Sequence, residues 1–478
     1  MSSGISTSVV LSIWTLLLSA VTSGQPVGLS HGPLAASVTS TSAKIWARTS
    51  GVADNPGVAV KYRPVGGTYT STPVQQTDGT KDLTAEFLLN PLPSGLSPNT
   101  IYEYTVVVNG SDQASARFKT FPGPLTSPSF KFGLLSDITG KSDVPVLSLL
   151  ALENLAFVVI LGDYDHRDPG DQGTNETDVL AAVRAMHRDV RDPNNPLWCS
   201  PNCPGDELQA NVFSLFPVAN IWDDHDYCCN NASGEIAGYK KTATFKGHQE
   251  YWPSYTLANT NEGAGLWHMF KFGKDVEIYM LDLRFKRTDY LATDTCTGGV
   301  PIKSMLAGQA VTGQDQKAWL KEKLAVPGAK WRFLISSTPW NRTLPKDDAW
   351  KDYQCEQDEL LNYIVGQGIE GVVLISGDIH TGGAIDDGTN SLCPELSVPK
   401  TNPLYLTCGG MEHDLCGDWK CESAGTFPCI SKSPTRVGFG IVEINEADAK
   451  LKTITTDGGG VLAGFSQTLS PANVCTAP

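Results

Sequence analysis

The chain has 478 residues, 41% hydrophobic and 18% charged, which suits two or three domains with apolar cores rather than a disordered polymer. Its formal net charge of −15 argues against structural binding to nucleic acid or anionic membrane, because phosphate backbones select basic surface. A phosphate ester stays open as a ligand where metal cations stand between it and the carboxylates.

Residues 1–24 read as a secretory signal. The run from Val9 to Val21 has the length of an apolar h-region and is too short to span a bilayer. Thr22-Ser-Gly24 offers small residues for cleavage, although neither Lys nor Arg precedes the run. No later stretch reaches membrane-spanning length, so a secreted protein without stable membrane insertion is expected. Cysteine usage agrees: there are twelve, an even number, and the sequons at Asn109, Asn175, Asn231 and Asn341 suit a glycoprotein. Cys199 and Cys203 flank a small loop, Cys228 and Cys229 are adjacent, and Cys393, Cys408, Cys416, Cys421 and Cys429 crowd one segment. Disulfides are expected there in preference to zinc, since no Cys-x-x-Cys pair occurs.

Over residues 26–122, alternating segments recur at Ala43–Arg48, Val58–Tyr62, Glu86–Leu89 and Ile101–Val107, punctuated by Gly, Pro, Asn and Asp. That pattern predicts an all-β sandwich. Leu96-Ser-Pro98-Asn-Thr100-Ile-Tyr102-Glu-Tyr104 resembles the tyrosine corner of fibronectin type III domains. Phe121–Pro128 reads as a linker. From Phe130 the pattern changes. Strand-like runs at Phe130–Leu135, Phe157–Leu161, Phe213–Trp222, Val276–Leu281, Arg332–Ile335 and Val372–Ile375 alternate with helical patterns at Val179–Met186 and Gln316–Leu324. A layered α/β domain over 130–478 is expected, closing with a hairpin of Gly440–Asn445 and Lys450–Thr455.

Several apolar runs end in groups that can bind metal. The first ends in Ser136-Asp137, the second in Gly162-Asp163 with His166 three residues on, the third in Asp223-Asp224-His225-Asp226, and the last in Ser376-Gly-Asp378-Ile-His380. Strand ends of neighbouring strands converge, and so many carboxylates cannot share a pocket ionised without cations. Asp378 and His380 are two apart, so an extended segment turns both the same way.

The order Asp137, Gly162-Asp163, Asp224-His225 and Gly377-Asp-Ile-His380 resembles the calcineurin-like metallophosphoesterase superfamily. Trp222-Asp-Asp-His-Asp226, Leu281-Asp-Leu-Arg284 and Ser376-Gly-Asp-Ile-His380 are similar to the PhoD-like alkaline phosphatase and phosphodiesterase family. The resemblance covers nearly the whole chain after the signal. It implies an α/β fold, a layered metallophosphoesterase-type sandwich of two mixed sheets flanked by helices, behind an N-terminal fibronectin III-like β-sandwich. It further implies that Asp163 bridges two metals, that Asp137, His166 and His380 complete one site, and that Asp224 and Asp378 hold the other. His225 would be the transition-state histidine. Arg284 would hold a phosphate oxygen or, equally, a structural salt bridge with Asp282 or another acid. The chain departs from the pattern at several places. The family commonly has Cys at Asp137 and Tyr at His166. The superfamily has Asn at Asp224, His at Asp378, and a further His after the strand that here ends in Ser336-Ser-Thr-Pro339.

With oxygen donors in the majority, two divalent or trivalent ions drawn from Ca, Mn, Mg or Fe fit better than a zinc pair. Ions roughly 3.5–4 Å apart would lower the pKa of a bridging water, and that hydroxide would attack phosphorus in line. His225 would stabilise or protonate the leaving oxygen. The expected protein is a secreted metal-dependent hydrolase of phosphate mono- or diesters. The alternatives are an extracellular binding protein that kept the fold and lost the chemistry, and a structural cell-surface protein built on the fibronectin-like domain.

Overall fold

The computed structural model describes residues 27–475 apart from 52–54, 92, 139–145, 193–207, 259–264, 298–299, 307–314, 345–346, 381–382, 389–391, 400, 402–436, 457–460, 463–465 and 473–474. The signal-like segment and Cys199, Cys203, Cys408, Cys416, Cys421 and Cys429 lie outside the described residues.

Two sheets face each other. The first runs in the order Val461–Leu462, Ala449–Thr456, Val437–Ile444, Phe130–Leu135, Val158–Ile160, Val218–Asn220, Leu29–Ala36, Ala43–Thr49 and Thr84–Leu89. The second runs His268–Phe272, Val276–Met280, Trp331–Ser336, Val372–Ser376, Pro394–Ser397 and Ala384–Asp387. Phe130–Leu135, Val158–Ile160 and Val218–Asn220 are parallel, as are Val276–Met280, Trp331–Ser336, Val372–Ser376 and Pro394–Ser397. Sheets of parallel strands are covered on both faces, which is why these runs are apolar without a break.

The period of two along each strand sorts the side chains into layers. Phe132, Leu134, Val159, Ile278, Met280, Phe333, Ile335, Val373 and Ile375 form the core between the sheets. Phe132 meets Phe333 edge-on with ring centroids 5.3 Å apart. Alternate residues point outward to helices. Leu135, Val158, Ile160 and Val218 pack with Val146, Leu147 and Leu150 of the Val146–Ala151 helix and with Tyr251 and Trp252. Tyr279, Leu334 and Leu374 pack with Trp319 and Leu320 of the Gln316–Leu324 helix and with Leu360, Leu361 and Ile364 of the Gln354–Gly366 helix. The layers therefore run helix, sheet, sheet, helix.

The N-terminal strands form a sandwich that is continuous with this body. Leu29–Ala36, Ala43–Thr49 and Thr84–Leu89 are one face; Gly57–Pro64, Ile101–Val108 and Ser111–Lys119 are the core of the other. Tyr102 Oη accepts a hydrogen bond from the Ser97 amide at 2.9 Å, pinning the chain just before its own strand. The first face joins the large sheet where Ala36 pairs in parallel with Val218. Local alternation marks each strand but cannot reveal that one sheet runs from the N-terminal strands into the large body. The segment read as a linker is also docked. Phe121 is buried, with ring centroids 4.8 Å from Phe272 and 5.5 Å from Phe157.

One expected strand is shorter than its run of apolar residues. Phe213–Trp222 contains strand only over Val218–Asn220, and Gln209–Phe213 is a wide helical turn. Pro217 has no N–H to donate to a ladder, although its carbonyl accepts from Val158 N at 2.9 Å.

Candidate metal centre

The parallel strands of both sheets point their C-terminal ends to the same edge, and the chain turns sharply there. Asp137, Asp163, Asp378 and His380 all have left-handed backbones, with φ of 51°, 50°, 55° and 50°. Non-glycine residues are uncommon in that region, and when they gather they gather at functional sites. Gly162 makes the closest approach possible. Its φ is 101°, and a Cβ there would stand 2.5 Å from the amide nitrogen of Asp223. Asp226 then ties two turns together, accepting from Tyr164 N at 2.9 Å and from Asp223 N at 3.2 Å. Ser136 Oγ accepts from Asp378 N at 3.2 Å and donates to Asp137 Oδ2 at 2.9 Å, which links the first sheet to the second.

Donor atoms of Asp137, Asp163, His166 and His380 come within 4.8 Å of one another, and so do those of Asp163, Asp223 and Asp378, and those of Asp163, Asp224 and His225. Asp163 belongs to all three groups. His380 Nε2 is 3.1 Å from Asp137 Oδ1 and 3.2 Å from Asp378 Oδ1. His166 Nε2 is 3.6 Å from Asp163 Oδ2 and 3.7 Å from Asp137 Oδ1. The ring centroids of His166 and His225 are 4.5 Å apart.

Burial makes this arrangement costly for the bare protein. Asp163 is 1% exposed, yet neither of its carboxylate oxygens has a hydrogen-bond partner. Burial, then the charges of Asp224, Asp223, Asp378 and Asp137, push its pKa well above the usual carboxylate range. Burial would also raise Asp137, but His380 and His166 beside it hold it well below that range. Burial and the neighbouring His225 push His166 down to about 4. Burial would lower His225 as well, yet Asp224 and Asp168 raise it to about 9. An anion-rich pocket with oxygen donors left over is what hard cations complete.

Two residues here carry no separate mark in the sequence. Asp223 aims Oδ2, which has no hydrogen-bond partner, into the group with Asp163 and Asp378, while its Oδ1 accepts from Ser337 Oγ at 2.6 Å. The doubled aspartate was the available signal. Asp168 Oδ1 lies 2.7 Å from His225 Nδ1, and only the fold brings these residues together. Arg284 is fully buried. Its guanidinium binds Asp223 and Asp348 and reaches Asp224 Oδ1 at 3.5 Å. Asp282 instead accepts from the Arg284 backbone amide at 3.0 Å. All eight sequence-stated candidates, Asp137, Asp163, His166, Asp224, His225, Arg284, Asp378 and His380, therefore sit at one edge, with Arg284 beneath the carboxylates.

A family model described as PhoD-like phosphatase matches residues 144–390. Alkaline phosphatase D of Bacillus subtilis (strain 168) is 24% identical over 311 residues, covering 60% of this chain and 52% of that protein. The chain thus matches about half the length of that relative. A solved structure of PhoD superposes with a TM-score of 0.69 at 18% identity, over 92% of this chain and 90% of the other. The purple acid phosphatase PPD1 from yellow lupin seeds superposes with a TM-score of 0.58 at 12% identity, over 93% and 75%. Both likenesses are of fold.

Proposed function

The chain belongs to the PhoD-like phosphatase family, and from that membership we propose that it is a secreted, metal-dependent hydrolase of phosphate mono- or diesters. The observation that carries the reading is Asp163, a buried carboxylate with both oxygens unbonded among four further aspartates. Asp163 would join two cation sites, one completed by Asp137, His166 and His380 and the other by Asp224, Asp378 and Asp223. The donor set is mostly oxygen, which fits Ca, Mn, Mg or Fe better than zinc. Such ions supply Lewis acidity and activate water near neutral pH.

The chain's own residues do the rest. Asp168 holds His225 through Nδ1, which leaves the other ring nitrogen to face the leaving oxygen and steady or protonate it. Arg284, locked between Asp223 and Asp348 and 3.5 Å from Asp224, would hold Asp223 and Asp224 in place rather than reach a phosphate. Residues 26–122 would be a fibronectin III-like sandwich, a reading supported by its two facing sheets and the Tyr102–Ser97 hydrogen bond. No described helix is long and apolar enough to cross a membrane.

A second reading, a binding protein without chemistry, is favoured by the lack of a histidine in Ser336-Ser-Thr-Pro339, where the superfamily pattern has one and where Ser337 donates to Asp223. The full chain, purified without chelator, separates the two by elemental analysis and hydrolysis of an aryl phosphate monoester and diester. Bound metal with turnover of either ester is expected. Metal without turnover favours the binding protein, and absence of metal overturns the centre itself.

A further inference from the structure

Among the described cysteines, Cys296 pairs with Cys355 and Cys393 with Cys475, so the chain is built for an oxidising compartment. Cys228 and Cys229 remain as thiols. Adjacent side chains normally diverge, pointing to opposite faces of a strand or about 100° apart around a helix. Here the four-residue helix Asp224–Tyr227 ends at Cys228, whose φ of −163° and ψ of −68° bring the two sulfurs to 2.8 Å. That is closer than unbonded sulfurs ordinarily lie. Cys228 is buried and Cys229 half-buried.

The pair is packed under the turn that orients His225. Gly170 N donates to Cys228 O at 2.8 Å. A Cβ on Gly170 would sit 2.2 Å from Cys228 Sγ and 3.1 Å from its Cα, so only glycine lets the turn lie this close. The turn Pro169–Asp171 begins at Asp168, which binds His225 Nδ1, and its far end is tied by Asp171 to Lys240 Nζ at 2.8 Å.

We propose that Cys228 and Cys229 are a redox modification site that closes into a vicinal disulfide and braces the Asp168 turn against His225. The co-reactant is a low-molecular-weight disulfide. The thiolate of the more accessible Cys229 attacks one of its sulfurs and expels the first small thiol. The Cys228 thiolate then attacks the Cys229 sulfur of the mixed disulfide and expels the second. Two thiols are oxidised, one disulfide is reduced, and the two protons leave on the small thiols. Adjacent Cα atoms stand about 3.8 Å apart, short of the roughly 4.4–6.8 Å that most disulfides span. The ring is therefore easier to reduce than an unstrained bridge, which is the property of a switchable bond.

The test uses the full secreted chain, never exposed to reductant, alkylated and digested. The peptide carrying Cys228 and Cys229 is expected unalkylated and about 2 Da lighter than its dithiol form. Mild dithiol treatment should then lower turnover of an aryl phosphate ester in the wild type and not in the Cys228→Ser/Cys229→Ser variant. The loss should fall short of the roughly hundredfold that removing an acid–base group costs. Both cysteines fully alkylated in unreduced protein, or held as thiolates on a metal with Asp171, would overturn the ring. Equal loss of turnover in wild type and double variant would overturn the bracing. The turnover arm rests on the phosphoesterase reading; the mass arm decides the ring even if no ester is hydrolysed.

Discussion

Asp163→Asn is expected to stabilise the metal-free protein and to destabilise the metal-loaded one. Burial and four neighbouring aspartates hold the Asp163 pKa well above its ordinary value. The folded chain therefore keeps a proton there that the unfolded chain releases. Stability falls as pH rises from the unfolded value of about 3.9 up through the folded pKa. Between those two values each pH unit costs about 1.4 kcal/mol of folding stability. An asparagine has no proton to keep, although an imperfectly bonded buried amide returns about 1–3 kcal/mol of that gain. The variant's advantage therefore grows with pH and shows as a higher Tm once the accumulated cost exceeds that of the amide. Toward about pH 4, where the unfolded carboxyl also holds its proton, the advantage should vanish. With cations bound the order reverses, because the variant lacks the charge shared by all three donor groups. Thermal melting of both proteins with and without chelator, across this pH range, reads all of it. A variant that melts below the wild type in chelator at about pH 8 would refute the electrostatic account of the pocket.

Three other outcomes are expected. Asp168→Asn should lower kcat about tenfold or more while metal content stays at the wild-type level, since it loosens His225 without touching a donor; unchanged kcat would remove Asp168 from the mechanism. Arg284→Met should cost on the order of 3–5 kcal/mol in chemical denaturation by leaving Asp223 and Asp348 unneutralised; wild-type stability with weaker phosphate binding would return the arginine to the substrate. The protein should also lose stability in mild acid through three buried histidines, His187 on the helix Glu176–Arg191, His248 on the helix Gly238–Tyr251 and His268 on the strand His268–Phe272. Burial holds His248 to about 3, His268 to about 4 and His187 well below its ordinary value. The unfolded histidines accept protons near 6.5, so their contribution is complete above about pH 7 and falls as pH drops toward the folded values. His187→Gln should flatten that part of the Tm–pH curve, and an unchanged slope would count against it.

Sequence alone determined the strand ends. The apolar runs and the Asp and His residues closing them are local features, legible because a strand buried on both faces has no polar position until it leaves the sheet. The hairpin at Val437–Ile444 and Ala449–Thr456 and the helix containing Gln316–Leu324 were legible for the same reason, a short-range period. Tertiary structure decided which groups meet. Asp223 enters the pocket because Gly162 lets its backbone pass, and Asp168 reaches His225 across 57 residues of chain. Arg284 is turned inward by acids on two distant segments, and a single parallel pairing, Ala36 with Val218, fuses the N-terminal sandwich to the large sheet. Pattern along a chain reports which face of an element is apolar. Which elements become neighbours, and which charges must then share one small volume, follows from sheet order and close backbone approach, and neither is written in any one segment.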